Sequence, residues 1–148
     1  MPEISRSALV MYSAEQMYQL INDVSAYPQF LPDCSDSKVI SCHEQQMTAA
    51  LKVSKGGLTK WFTTKNQLTK NKQVQLTLVD GPFKKLVGSW DLTPLSEEAC
   101  KVNLHLEYEF SSKVLALAFG RVFNGLANNM VQAFTQRAKQ VYGVNVGQ

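Results

Sequence analysis

The chain holds few of the residues that crosslinking, metal binding or nucleotide chemistry require. Its three cysteines, Cys34, Cys42 and Cys100, are odd in number and widely spaced. That excludes a disulfide framework and a thiolate metal site, so the thiols are expected reduced and partly buried. His43 and His105, the only histidines, have no second histidine at helical spacing, and no bound metal is expected. Glycine-rich nucleotide loops, a nucleophile elbow and kinase signatures are all missing. The longest apolar run, Val114 to Phe119, falls far short of the ~20 residues that cross a bilayer. The amino terminus lacks a basic stretch followed by an apolar one. The expectation is a cytoplasmic protein, at most peripheral at the inner face of the membrane.

What is present is enough for one ordinary domain, expected to span residues 1–148. The chain has 148 residues, 45% of them hydrophobic and 18% charged, which excludes wholesale disorder. A chain this long buries roughly 68 to 70% of its unfolded surface and needs no staple. Its net charge of +3 is laid down in blocks. Residues 1–44 carry six acids and two bases, whereas residues 45–90 carry eight lysines against Asp80. Residues 91–109 carry five acids against Lys101, and residues 110–148 carry four bases and no acid. Such segregation suits a basic face for phosphate, of a lipid headgroup or of RNA. It suits equally well lysines that keep exposed strands soluble and block edge pairing.

Local patterns set the order of elements. Pro2 to Met11 reads as a strand. Ser13 and Gln16 form a capping box that opens a short helix, with Met17, Leu20 and Ile21 on one side and an end near Asp23. Ser25 to Cys34, with Tyr27, Pro28, Phe30, Leu31 and Pro32, is too proline-broken for a long helix and too aromatic for a solvated loop. From Ser35 to Phe110 the apolar period is two, and five or six antiparallel strands are expected. Met47, Ala49, Leu51 and Val53 share a face before a Gly56-Gly57 turn. Val74, Leu76 and Leu78 follow, then a break at Asp80-Gly81-Pro82, then Leu86, Gly88, Trp90 and Leu92. Val102, Leu104, Leu106, Tyr108 and Phe110 alternate with Asn103, His105, Glu107 and Glu109. One face of the sheet must therefore be covered.

Lys113 to Tyr142 supplies the cover, roughly 45 Å of helix at 1.5 Å per residue. Leu115, Phe119, Val122, Phe123, Leu126, Met130, Val131, Phe134, Ala138 and Val141 form its stripe. Ser111 or Ser112 caps the start and Gly143 stops it. Gly120 and Gly125 lie inside, each costing ~1 kcal/mol against alanine; close packing on the sheet is the favoured reason, and room for a guest or a bend around one is the other.

This is the element order of an α+β helix-grip (START-like) fold: a curved antiparallel sheet wrapped around a long carboxy-terminal helix, with short helices after the first strand. Two motifs sharpen it, Tyr27-Pro28-Gln29-Phe30-Leu31-Pro32-Asp33-Cys34 and Asp80-Gly81-Pro82-Phe83-Lys84-Lys85-Leu86 running on through Gly88 to Trp90. With Met130-Val131-Gln132-Ala133-Phe134 and Arg137-Ala138, they resemble the coenzyme-Q-binding START-like family, within the polyketide cyclase/dehydrase and lipid transport superfamily. The likeness covers nearly the whole chain and is similar above all to the bacterial RatA branch, described as toxins that bind the large ribosomal subunit and prevent subunit joining.

The resemblance implies a hydrophobic cavity between sheet and helix, holding ubiquinone or a similar isoprenoid quinone in support of respiration. By strand parity and helix stripe, its candidate lining is Trp90, Tyr108, Phe119, Phe123, Leu126, Met130 and Phe134, joined by Phe30 and Leu31 from the broken segment. Each would equally serve as ordinary core. Phe83, in a turn before Lys84 and Lys85, has three readings: an aromatic dipping into a membrane interface, one resting on ribosomal RNA, or a plug under the sheet with its lysines solvated. A cyclase-type enzyme would need a titratable pair in the cavity, and inward positions offer only Tyr108, so no catalytic residue is expected. The expected partners are a hydrophobic small molecule, a transient membrane contact and the large ribosomal subunit; the oligomeric state is open.

Overall fold

The computed structural model describes residues 3–143, which leaves Pro2 and the chain beyond Gly143 outside the described residues. β1 (Glu3–Val10) leads into α1 (Ala14–Asn22) and a 3-10 helix (Val24–Gln29), followed by β2 (Cys34–His43) and β3 (Gln46–Lys55). β4 (Leu58–Thr69), β5 (Gln73–Asp80), β6 (Phe83–Ser96), β7 (Ala99–Phe110) and α2 (Lys113–Tyr142) complete the chain. Seven antiparallel strands form one sheet in the order β1-β7-β6-β5-β4-β3-β2. Every connection from β2 to β7 is a hairpin, so turn chemistry sets the register. Gly56 and Gly57 take φ of 58° and 87° at the β3–β4 turn, a region that glycine enters without steric cost.

Capping decides where the helices begin. The Ser13 hydroxyl accepts from the Gln16 amide while the Gln16 side chain accepts from the Ser13 amide. Ser112, not Ser111, caps α2 by accepting from the Leu115 amide at 3.1 Å. The proline-broken segment becomes a 3-10 helix that includes Pro28 and buries Tyr27. Ser37 of β2 donates to the Val24 carbonyl at 2.6 Å and ties this segment to the sheet edge.

The curved sheet and α2 enclose one apolar core. Val102, Leu104, Leu106 and Tyr108 are buried, as are Leu86, Trp90 and Leu92 across the β6–β7 ladder. Gly88, opposite Leu106 in that ladder, permits a close approach: a Cβ there would lie 2.3 Å from the His105 carbonyl oxygen. On α2 the stripe is buried from Phe119 to Ala138 except Met130, which is half-buried. Val141 departs from the expectation at 48% exposure. The final turn is held through the neighbouring Tyr142, whose hydroxyl donates to the Gln16 carbonyl. Close packing does not explain the helix glycines. A Cβ at Gly125 would meet nothing within 4 Å, and one at Gly120 only Phe110, at 4.0 Å.

Candidate functional site

A hollow lies between α2 and the middle of the sheet. The inward side chains of β3 and β4 form one wall, including Ala49, Leu51, Phe62, Thr64 and Asn66. Trp90 and Leu106 belong to the far side, Phe123, Leu126, Ala127 and Met130 of α2 to the roof, and Val24 and Tyr27 to one end. The space amounts to about 60 Å³ for the centre of a water-sized sphere, and to about 600 Å³ of atom-free volume when its opening is included. A water needs roughly 10 to 15 Å³ by the first measure, so the hollow has room for several waters or a small ring.

Among the nine residues expected to line a cavity, Trp90, Phe123, Leu126 and Met130 do so. The other five lie elsewhere, for reasons of depth that periodicity does not report. Phe134 is fully buried behind the hollow, its ring 5.3 Å from Tyr27, 5.0 Å from Phe30 and 5.2 Å from Trp90. Leu31 is buried in the core. Phe30 instead borders an outer groove with Gln29, Pro32 and Arg137, whose guanidinium sits 5.1 Å over its ring. Tyr108 belongs to an aromatic cluster at the other end, and Phe119 borders a void of only about 10 Å³ there, with Phe83, Phe110 and Phe123. Burial pushes the Tyr108 phenol up, away from any acid role at neutral pH.

Phe83 is the plug. Only 6% exposed, its ring packs on Phe62, Tyr108, Phe110 and Phe123 at centroid distances of 4.8 to 6.2 Å. It cannot dip into a membrane or stack on RNA from there. Lys84 and Lys85 are exposed and pair with Glu109 and Glu107, each at 3.4 Å. Their charge is thus partly met within the sheet, because the β6–β7 register sets Lys85 opposite Glu109 and one step from Glu107.

Three groupings escape a reading of single strands. The first is Thr64 and Asn66, polar residues buried to 9% and 7% exposure on the inward face of β4. Thr64 donates to Asn66 Oδ1 at 2.8 Å, and the Asn66 NH2 has no hydrogen-bond partner among the described residues. No side-chain nitrogen or oxygen among the described residues is both fully buried and unpartnered, so the Asn66 NH2 keeps accessible surface. The inward alternation Phe62, Thr64, Asn66, Leu68 was the available signal.

The second is on the outer face of β2–β4. Trp61 is 37% exposed, with the Lys38 ammonium 4.8 Å from its ring centroid and Lys52 opposite it in the β3–β4 register. Lys65 shares the same face of β4, and Asp36 lies opposite Lys52 as the local acid. Only the pairing of three strands brings these residues together.

The third is Glu3, His105 and Glu107 on the outer face of β1 and β7. His105 Nε2 stands 3.7 Å from Glu3 Oε1 and 3.5 Å from Glu107 Oε1. The His105 side chain and then Lys85 lower the Glu107 pKa. Three ligating atoms converge there, and the Lys85 ammonium pairs with the other Glu107 oxygen at 3.4 Å. Of the cysteines, Cys34 and Cys100 are buried and Cys42 is exposed.

Among the described residues, Tyr27 is the one titratable group on the wall of the hollow, and its hydroxyl donates to the Ile21 carbonyl while burial raises its pKa. No described helix is long and apolar enough to cross a membrane.

Comparison with known proteins agrees with this architecture. The chain is 63% identical over 142 residues to the ribosome association toxin RatA of Escherichia coli strain K12, covering 96% of this chain and 90% of that one. It is 44% identical to the protein of the same name from Pseudomonas aeruginosa, over 95% of this chain and 97% of that one. It is also 30% identical to a mitochondrial coenzyme Q-binding protein homologue of Xenopus laevis, over 95% of this chain but 59% of that one. Among solved structures, the Zhui aromatase/cyclase of a Streptomyces species superposes with a TM-score of 0.82 at 13% identity, over 99% of this chain and 98% of that one. That likeness concerns the fold alone, and it makes the curved sheet and long helix a helix-grip arrangement. The sequence pattern of one family matches residues 10–135; the chain therefore belongs to the polyketide cyclase/dehydrase and lipid transport family.

Proposed function

We propose that the chain is a non-enzymatic binding protein that docks on the large ribosomal subunit and blocks subunit joining. The observation that carries this reading is the 63% identity, along 96% of the chain, to a protein named as a ribosome association toxin. The molecule offers a suitable surface in the outer face of β2–β4, where Lys38 and Lys52 flank the exposed Trp61 and Lys65 shares its face of β4. Lysines meet phosphate at any sequence, and an indole face accepts an unstacked base, which is how a protein holds structured RNA. Lys84 and Lys85 contribute less because Glu109 and Glu107 already pair with them.

Cosedimentation with purified large subunits tests it. Binding is expected at low salt and declines as salt rises, and the salt slope falls by about 1 for each of Lys38, Lys52 and Lys65 replaced by glutamate. Trp61→Ala weakens binding at every salt concentration. Lack of cosedimentation at low salt removes the reading.

A second reading concerns the interior: a small apolar guest, with ubiquinone or another isoprenoid quinone as the natural candidate. The hollow and the likeness to the coenzyme Q-binding homologue support it. A prenyl tail is far larger than the closed space, so its uptake requires α2 or the 24–31 segment to move outward. Gly125, with no side chain and open space around it, weakens α2 beside the roof at a cost of ~1 kcal/mol. Mass spectrometry of protein purified from a membrane-containing extract should find an apolar molecule that is absent from Leu126→Asp. A folded wild type without any such guest counts against this reading.

A further inference from the structure

The geometry points to Asn66 as the polar anchor of the interior, selecting apolar guests that carry an acceptor oxygen of the ketone or quinone type. This rests on the reading of the hollow as a guest site and adds a chemical class to it. The wall around Asn66 is mostly apolar. Its neighbours in the sheet register are Met47 on β3 and Leu76 on β5, and the facing α2 residues are Leu126, Ala127 and Met130.

The amide does not rotate freely within this setting. Thr64 donates to its oxygen at 2.8 Å, which fixes the orientation of the amide and leaves the NH2 as the group without a hydrogen bond among the described residues. Two further polar groups lie on the wall. Tyr27 spends its hydroxyl on the Ile21 carbonyl, and the Trp90 indole N–H has no hydrogen bond among the described residues. A hollow with a spare donor in a mostly apolar wall favours a guest that carries an acceptor oxygen over a hydrocarbon of the same shape. It rejects carboxylates, because no cation lines the wall to meet their charge.

The test uses two bicyclic probes of nearly equal shape, 1-tetralone and tetralin, which differ by one ketone oxygen, titrated into the full chain by calorimetry. Wild type is expected to bind tetralone about tenfold more tightly than tetralin, the ratio that one buried hydrogen bond supports. Asn66→Leu is expected to abolish that preference while binding tetralin at least as well. Thr64→Val, which frees the amide oxygen, should reduce the preference part of the way, and it serves as an independent variant should Asn66→Leu fold poorly. Equal binding of both probes by wild type overturns the assignment and leaves the guest site standing, as does a preference that survives in Asn66→Leu. Binding of neither probe to folded wild type overturns both.

Discussion

The concave face of one sheet is filled in two different ways. At the end where β6 and β7 meet the start of α2, Phe83 stacks on Phe110 and both meet Tyr108 and Phe123 edge to face, with centroids 4.7 to 6.2 Å apart, and the adjoining void is about 10 Å³. Beneath β3–β5 the inward positions are smaller or polar, namely Ala49, Thr64 and Asn66, and about 60 Å³ stays open. Strand alternation is the same at both ends. What differs is side-chain volume and the presence of an amide, so stability is expected to concentrate at the aromatic end and the proposed selectivity at the hollow one.

Truncating one residue at each end should separate these roles most sharply. Phe83→Ala removes a ring with four aromatic neighbours and should cost about 3 to 5 kcal/mol by urea unfolding. Asn66→Leu replaces an amide of similar volume whose NH2 is unmet and should fall within about 1 kcal/mol of wild type, on either side. Equal losses would mean that the hollow is as tightly integrated as the aromatic end. A Phe83→Ala variant of native stability that no longer binds ribosomes would restore Phe83 as a docking residue.

An intermediate effect is expected on raising pH. Burial pushes the Cys34 and Cys100 thiols up to about 11 from 9.0. The folded state thus holds these protons more tightly than the unfolded chain. Their contribution is fully present below pH 9 and is lost as pH climbs toward 11. Urea midpoints measured across that window should decline, and Cys34→Ala with Cys100→Ala should make the decline shallower. An unchanged slope in the double variant would place the loss on other groups.

Legibility from sequence follows the range of the interactions. Caps and turns are local, so Ser13 with Gln16, Gly56-Gly57 and the full span of α2 could be read from neighbouring residues. Periodicity tells which side a residue faces but not how deep it lies. Trp90 and Phe134 thus satisfy the same rule, yet one borders the hollow and the other sits behind it. Asn66 needed the parity of β4, which Thr64 and Asn66 obscure by placing polar residues inward. Trp61 with Lys38 and Lys52 needed the register of three strands, and Glu3 with Glu107 needed the β1–β7 pairing that joins the two ends of the chain.

The outer face offers the mildest test of the contrast, since nothing there is buried deeply enough to matter much to folding. Lys85 is paired with Glu107, which His105 also contacts, and those two partners lower the carboxyl's pKa below its ordinary 4.5. A carboxyl depressed in the folded state stabilises above its unfolded pKa and ceases to do so as pH falls through the folded value. Removing Lys85 as Lys85→Gln should therefore lower the urea midpoint slightly at pH 7, and the gap should close below pH 4.5 as Glu107 takes up its proton. Exposed pairs are screened by solvent and salt, so the gap at pH 7 should also shrink when salt is added. A gap that persisted at low pH and high salt would trace to the packing of the lysine stem along β6, and the outer face would then share in the stability otherwise concentrated at the aromatic end.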